Sequence, residues 1–276
     1  MFFLIGGRGA GTWELQGIRA KGFTDNVLEL LSRKLGRLSA PAQDALKTLA
    51  MLGMRAPLEL LGRALQAPPA RVRQQLREAA QSGLVDCDDH ECAFVHDRIR
   101  GAAYALVTAN ERARRHLELG RLLLADRRIE DIDEDLFALA NHFRQALVLV
   151  DDVTEREGVR RLTFRAGKTA KLAIAFDAAR DYFADAIALL PGNRWTAPYE
   201  EVFALVGELT ECEYLLGNLD RGNALSHELL AQARSDLDRA AVYRIRIVNF
   251  SAPPGTLPEL LALILAALRF LGVDCP

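Results

Sequence analysis

No apolar run in this 276-residue sequence is long enough to cross a bilayer. The best candidate, LPELLALILAALRFLG at 257–272, stops short of the ~20 residues that a spanning helix needs, and it reads as a buried helix. The opening MFFLI has no basic start and runs at once into glycines, so it lacks the apolar stretch and cleavage site of a signal peptide. Charge of one sign is missing too. Thirty-five Lys and Arg face 37 Asp and Glu, for a net −2, and no whole-chain field draws nucleic acid or an anionic membrane. Cysteine is scarce. Cys87, Cys92, Cys212 and Cys275 are too few and too scattered for a disulfide framework, which fits a reducing compartment. A cytoplasmic chain with no membrane partner is expected, about two domains at ~150 residues each. Its 50% hydrophobic residues are enough to build a core.

Catalytic machinery is also lacking. The glycine cluster GGRGAGT at 6–12 spaces Gly6 and Gly11 as a phosphate loop would, but Thr12 stands where the phosphate-reaching lysine belongs. No strong helix pattern follows to offer its N-terminus to an anion, so the cluster reads as a flexible loop. Ser226 and His227 are sequence neighbours, and neighbours on a helix do not share a face. With no nucleophile–base pair and no carboxylate dyad, neither an enzyme nor a cofactor is expected.

What the sequence does have is helices, marked by apolar residues at three- and four-residue spacing. Thr24 is placed to cap the first, where Val27, Leu28, Leu31, Leu35 and Leu38 form a stripe. Ser39 followed by Pro41 starts the second, and Gly53 ends it. A third is expected over 57–66, and a fourth follows Pro68 and Pro69 as far as Gly83. Then LVDCDDHECAFVH reads as two short strands, 84–87 and 92–96, around a polar turn, before a helix resumes at Asp97. Short helices followed by a β-hairpin are the order of a winged helix-turn-helix. From about 109 the pattern is helical pairs: 110–126 with 134–149, 153–172 with 175–190, 198–216 with 219–234, and 237–249 with 257–271. Gly167, Ala179, Phe183, Ala186 and Pro191 carry a partial tetratricopeptide signature, in which Phe183 fills the groove between two close helices. The next pair is offset by more than the usual ~34 residues, so an irregular solenoid is expected. The fold class is therefore mainly α. It divides into an N-terminal remnant (1–22), a winged-helix-like module (23–108) and tetratricopeptide-like helical repeats (109–276).

Two further patterns invite chemistry. Cys87, His90, Cys92 and His96 could be written as zinc ligands, but C-x2-H-x-C-x3-H on one hairpin is not the separated pairs of a structural site. Strand alternation puts Cys92 and Phe94 on one face, so the cysteines read as small apolar residues of the hairpin and no metal is expected. Arg71, Arg73, Gln74, Gln75 and Arg77 sit where a recognition helix would read bases. Asp86, Asp88, Asp89 and Glu91 would then face phosphate and repel it, so nucleic acid is not the expected partner.

The stretch FVHDRIRGAAYAL (94–106), followed by ERARRHLELGRLLL (111–124), resembles the region after the nucleotide-binding core of large bacterial signalling ATPases of the STAND class. The likeness is to those joined to a serine/threonine kinase at one end and a sensor histidine kinase at the other. FTDNVLELLSRKL, LANHFRQA, AKLAIAFDAARDYFADAIALL, ECEYLLGN and ALRFLGVDCP extend it over nearly the whole chain from about Trp13. The resemblance implies a winged helix packed on a nucleotide domain, with a hairpin-end histidine touching nucleotide phosphate. His96 is the matching position. It also implies repeats that transmit or receive a signal. The phosphate loop, the Mg-binding acidic strand and both kinase domains of that family are absent, so the chain looks truncated or split. A non-catalytic regulatory scaffold is the expected function, with a kinase or ATPase subunit among its protein partners. The alternatives are a DNA-binding regulator and a nucleotide-sensing part beside a separate ATPase. Leu261, Leu265 and Leu268 belong to an apolar set that covers more than one face of the last helix, which implies self-association or a protein partner there.

Overall fold

The computed structural model describes residues 23–125, 127–249 and 257–270. Among these are thirteen α-helices and one small three-stranded antiparallel sheet, so the chain is mainly α. Backbone contacts divide it into two compact units, with the boundary after Glu111.

The first unit runs α1 (Phe23–Gly36), α2 (Ala40–Leu52), β1 (Arg55–Pro57), α3 (Leu58–Ala64), α4 (Pro69–Gln81), β2 (Val85–Cys87), β3 (Glu91–Phe94) and α5 (Asp97–Ala105). Helix α1 begins one residue before the expected cap, Thr24. Of its stripe, Leu35 is fully buried and Leu31 and Leu38 are partly so. Ser39 precedes α2 without capping it through its side chain, and its backbone N–H donates instead to Glu78 of α4 at 3.0 Å. Leu46 and Leu49 of α2 meet Leu61 of α3, Val72 and Leu76 of α4, and Cys92 and Phe94 of β3 in one core.

The sheet corrects the hairpin expected from the sequence, because a third strand joins it. The order is β1-β3-β2, with Ala56 opposite Cys92 and Cys87 opposite Cys92 on the other side. Three residues ending at a proline are too few to show alternation, and β1 shortens the following helix at its start. The cysteines need a larger correction. Cys87 and Cys92 form a disulfide across β2 and β3, with their Cα atoms 4.1 Å apart. The Asp88 N–H bonds to the Glu91 carbonyl (3.1 Å), so the next pair inward, Cys87 and Cys92, takes the non-hydrogen-bonded position. There facing side chains stand closest, and two thiols are brought into bonding range.

Among its described residues the second unit is built from helices without a strand. Helix α6 (Ala109–Leu124), in which the unit begins, precedes α7 (Leu136–Arg144), and α8 (Val153–Leu172) precedes α9 (Phe176–Ala188). Then come α10 (Tyr199–Leu215) with α11 (Leu219–Gln232), and α12 (Asp236–Val248) with α13 (Leu257–Phe270). The pairs fall where the apolar spacing puts them, except that α7 stops at Arg144 and a 3₁₀ turn, Leu147–Leu149, follows.

Close helix approach has a repeated cause. A Cβ on Gly167 would lie 2.5 Å from the Phe183 ring, which occupies the groove between α8 and α9. A Cβ on Gly120 would meet Phe143 at 3.2 Å, and one on Gly222 would meet Tyr214 at 2.7 Å. Three successive pairs thus seat an aromatic ring on a glycine, and in the third the ring comes from the first helix of the pair rather than the second.

Polar links then join each pair to the next. Arg121 binds Glu155 through two 2.7 Å hydrogen bonds, Arg144 binds Asp181 at 2.7 Å, and Arg160 binds Glu201 at 2.5 Å. Lys171 reaches Glu208 and Glu211 at 2.6 and 2.7 Å. These partners lie 34 to 41 residues apart, the spacing of one helical pair to its neighbour. The described residues contain no helix long and apolar enough to cross a membrane.

Candidate functional site

Chemistry-bearing side chains of the first unit gather where α4 faces the β2–β3 hairpin. Pro69 starts α4 where its missing N–H costs nothing, and Val72, Leu76 and Ala79 turn inward. That leaves Arg71, Arg73, Gln74 and Arg77 exposed on the outer face. The hairpin turn is held by Asp88, whose carboxylate accepts the N–H groups of His90 (2.7 Å) and Glu91 (2.8 Å). Those backbone bonds keep the Asp88 carboxyl below its ordinary pKa range. The turn directs Asp89 at α4, where its Oδ1 lies 2.5 Å from Arg73 Nη1. Between helix and hairpin runs an open groove of ≈ 390 Å³, lined by Arg73, Gln74, Arg77 and Cys87 among others.

Of the four residues weighed as zinc ligands, two are bonded to each other and cannot ligate a metal as thiolates. His90 is exposed in the turn, and His96 lies at the head of α5. No cluster of three or more His, Cys, Asp or Glu able to hold a metal occurs among the described residues. His96 is the N-cap of α5, its Nδ1 accepting the Arg98 N–H at 3.1 Å. The same nitrogen is 2.5 Å from an Asp97 carboxylate oxygen. One Nδ1 cannot accept from Arg98 and donate to Asp97 together, and we take the cap as its role because it gives an acceptor to a helix-start N–H that has no partner within the helix. The His96 side chain is 62% exposed.

In the second unit, the last helix exposes Leu261 (56%), while Leu265 and Leu268 are partly buried. The phosphate-loop-like segment 6–12 and the side chains of Leu260 and Leu263 lie outside the described residues. Sequence reasoning passed over two buried polar groups here. His116 of α6 and His142 of α7 place their Nδ1 atoms 2.9 Å apart, sharing one hydrogen bond. Burial pushes both imidazoles down to about 4, with Arg112 adding to the effect on His116 and His116 adding to that on His142. Nearby in the fold, burial pushes Asp185 of α9 up to about 6 against the pull of Arg144. Arg144 Nε approaches its Oδ2 to 3.1 Å without the alignment of a hydrogen bond, leaving that oxygen unsatisfied. Each of these residues falls on an inward helical position, which is the one sequence signal that could have found them.

Against known proteins, the chain is 23% identical to "Hybrid signal transduction histidine kinase G" of Dictyostelium discoideum. The alignment covers 301 residues, 87% of this chain and 9% of that protein. No family model matches, and no solved structure matches. The chain is distantly similar to a region of a large signalling protein.

Proposed function

We propose that the chain is a non-catalytic regulatory module of a signal-transduction ATPase of the STAND type, cytoplasmic, working through protein–protein contacts. The observation that carries this reading is the similarity along 87% of the chain to a segment of a much larger signalling histidine kinase. The architecture supports it in two parts. The order α2–β1–α3–α4–β2–β3 with a three-stranded sheet suits a winged-helix-like module. The helical pairs linked at 34 to 41 residues suit tetratricopeptide-like repeats, which offer extended surfaces to partners. A kinase or ATPase subunit is the proposed partner class, and α13 with Leu261, Leu265 and Leu268 is the proposed contact, through which the chain also self-associates. The DNA-binding alternative has less support, because the acidic turn occupies Arg73 on the helix that would read bases.

The test combines two measurements on the purified chain. Isothermal titration with ATP is expected to give no binding heat. Sedimentation over a dilution series is expected to show association that Leu261→Glu/Leu265→Glu abolishes. Micromolar ATP affinity lost in His96→Ala would replace this reading with nucleotide sensing. A chain that stays monomeric at high micromolar concentration would remove the contact assigned to α13.

A further inference from the structure

The Cys87–Cys92 disulfide closes a hairpin whose turn, only four residues long, carries Asp88, Asp89 and Glu91. Cys92 is fully buried in the core of the first unit, whereas Cys87 is half-buried and lines the open groove beside α4. Cys87 is therefore the half of the bond that borders solvent, and Cys92 is the half that does not. Immediately past the bond, Asp88 fixes the turn and Asp89 holds Arg73.

We propose that this disulfide is a reversible redox modification site, a latch that a dithiol of the thioredoxin class opens at Cys87. The donor's thiolate attacks Cys87 Sγ, forming a mixed disulfide while the Cys92 sulfur leaves as a thiolate and takes up a proton. The donor's second thiol then displaces Cys87. The donor ends as a disulfide and the hairpin as two thiols, so two electrons and two protons have passed to the protein. Core packing at Cys92, Phe94 and Val85 is expected to stay in place, since these side chains also pack against the helices of the first unit. What loosens is the turn beyond it, and with it the grip of Asp89 on Arg73. The latch concerns the hairpin alone and does not rest on the function proposed above.

The full chain would be equilibrated in glutathione buffers of graded ratio and with reduced thioredoxin, then alkylated and mapped by mass spectrometry. Cys87 is expected to become alkylated in the reducing buffers with the helical circular dichroism unchanged, whereas the buried Cys92 thiol is expected to react only when denaturant is added with the alkylating agent. Hydrogen exchange at the His90 and Glu91 amides should quicken by about tenfold on reduction, a local opening. Phenylglyoxal should modify Arg73 about twofold faster. Cys87→Ser/Cys92→Ser should show the fast values in every buffer. A bond that opens only when the chain unfolds, or thiols that never pair in any buffer, would overturn the proposal. So would reduction that leaves the exchange and the Arg73 reactivity unchanged.

Discussion

The two units solve the same problem, burying small helices against one another, with different devices. The first spans its core with a sheet and closes its outer hairpin with a disulfide. Its histidines, His90 and His96, are exposed at the hairpin turn and a helix cap. The second has no strand among its described residues, and relies on rings seated on glycines and on polar links at the spacing of one pair. It also buries polar groups, His116 and His142 among them. A unit made by repeating one contact depends on that contact at each step, whereas the first is closed by a covalent bond and a shared sheet.

Acid gives the largest expected separation between them. His116 and His142 have their pKa lowered to about 4 from 6.5, so the folded chain binds fewer protons than the unfolded one between those values. Stability is full above about pH 6.5 and is lost as pH falls toward and through 4, on the order of 3 kcal/mol for one such protonation. Asp185 works the other way. Its pKa is raised to about 6 from 3.8, so its cost is relieved as pH falls through 6. Denaturant unfolding at pH 7, 6 and 5 in an Asp185→Asn background reads the histidine slope above the range in which carboxylates with a lowered pKa, such as Asp88, contribute. His116→Leu/His142→Leu removes both partners together and should flatten that slope with little change at pH 7. Amide exchange should report loss of protection in α6 and α7 before β3. Equal loss in both units would break the contrast.

Glycine substitution sharpens it on the side of packing. Gly167→Ala puts a methyl against Phe183, and the gain in helix propensity of ~1 kcal/mol does not offset the overpacking. A net loss of about 1–2 kcal/mol is expected. Gly101 sits in α5 of the first unit with nothing within 4 Å of an added Cβ, and Gly101→Ala should stabilise by about 0.4–1 kcal/mol. Opposite shifts in thermal midpoint are the expected result. Two shifts of the same sign would mean that Phe183 moves aside at little cost.

How much of this was legible depends on whether a contact falls inside one recognisable sequence motif or needs a register or rotation set elsewhere in the fold. The pairing of Gly167 with Phe183 could be read because both belong to one recognisable helical pair, at small-residue and aromatic positions. The helix positions followed from the spacing of leucines and alanines, and strand alternation put Cys92 and Phe94 on one face, which the core then covers. The disulfide did not, although Cys87 and Cys92 stand just outside a four-residue turn. Recognising it needs the register of the strands, and two strands of three or four residues fix register only once β1 and the core hold β3 in place. The histidine pair has the same difficulty. His116 and His142 are each an isolated polar residue on an apolar stripe until the rotation of α6 against α7 brings their nitrogens together.

The smallest expected effect lies in the ion pairs. Arg121 grips Glu155 of the next helical pair with both nitrogens, and the Glu155 side chain is only 17% exposed. Arg73 holds Asp89 through one contact, with the carboxylate 79% exposed. Fixed two-point geometry and a partly desolvated acceptor strengthen the first, while solvent screens the second. Double-mutant cycles with Ala should give a coupling of about 0.5–1 kcal/mol for Arg121–Glu155 and under about 0.5 kcal/mol for Arg73–Asp89. Raising the salt to about 1 M, where the Debye length is ~3 Å, should erase the second and leave part of the first. If Arg73–Asp89 proves the stronger, the hairpin turn is held by its charge rather than by the bond and the Asp88 turn beneath it. The Cys87→Ser/Cys92→Ser variant would then keep Arg73 protected, and the repeat unit would no longer be the one that draws stability from its ion pairs.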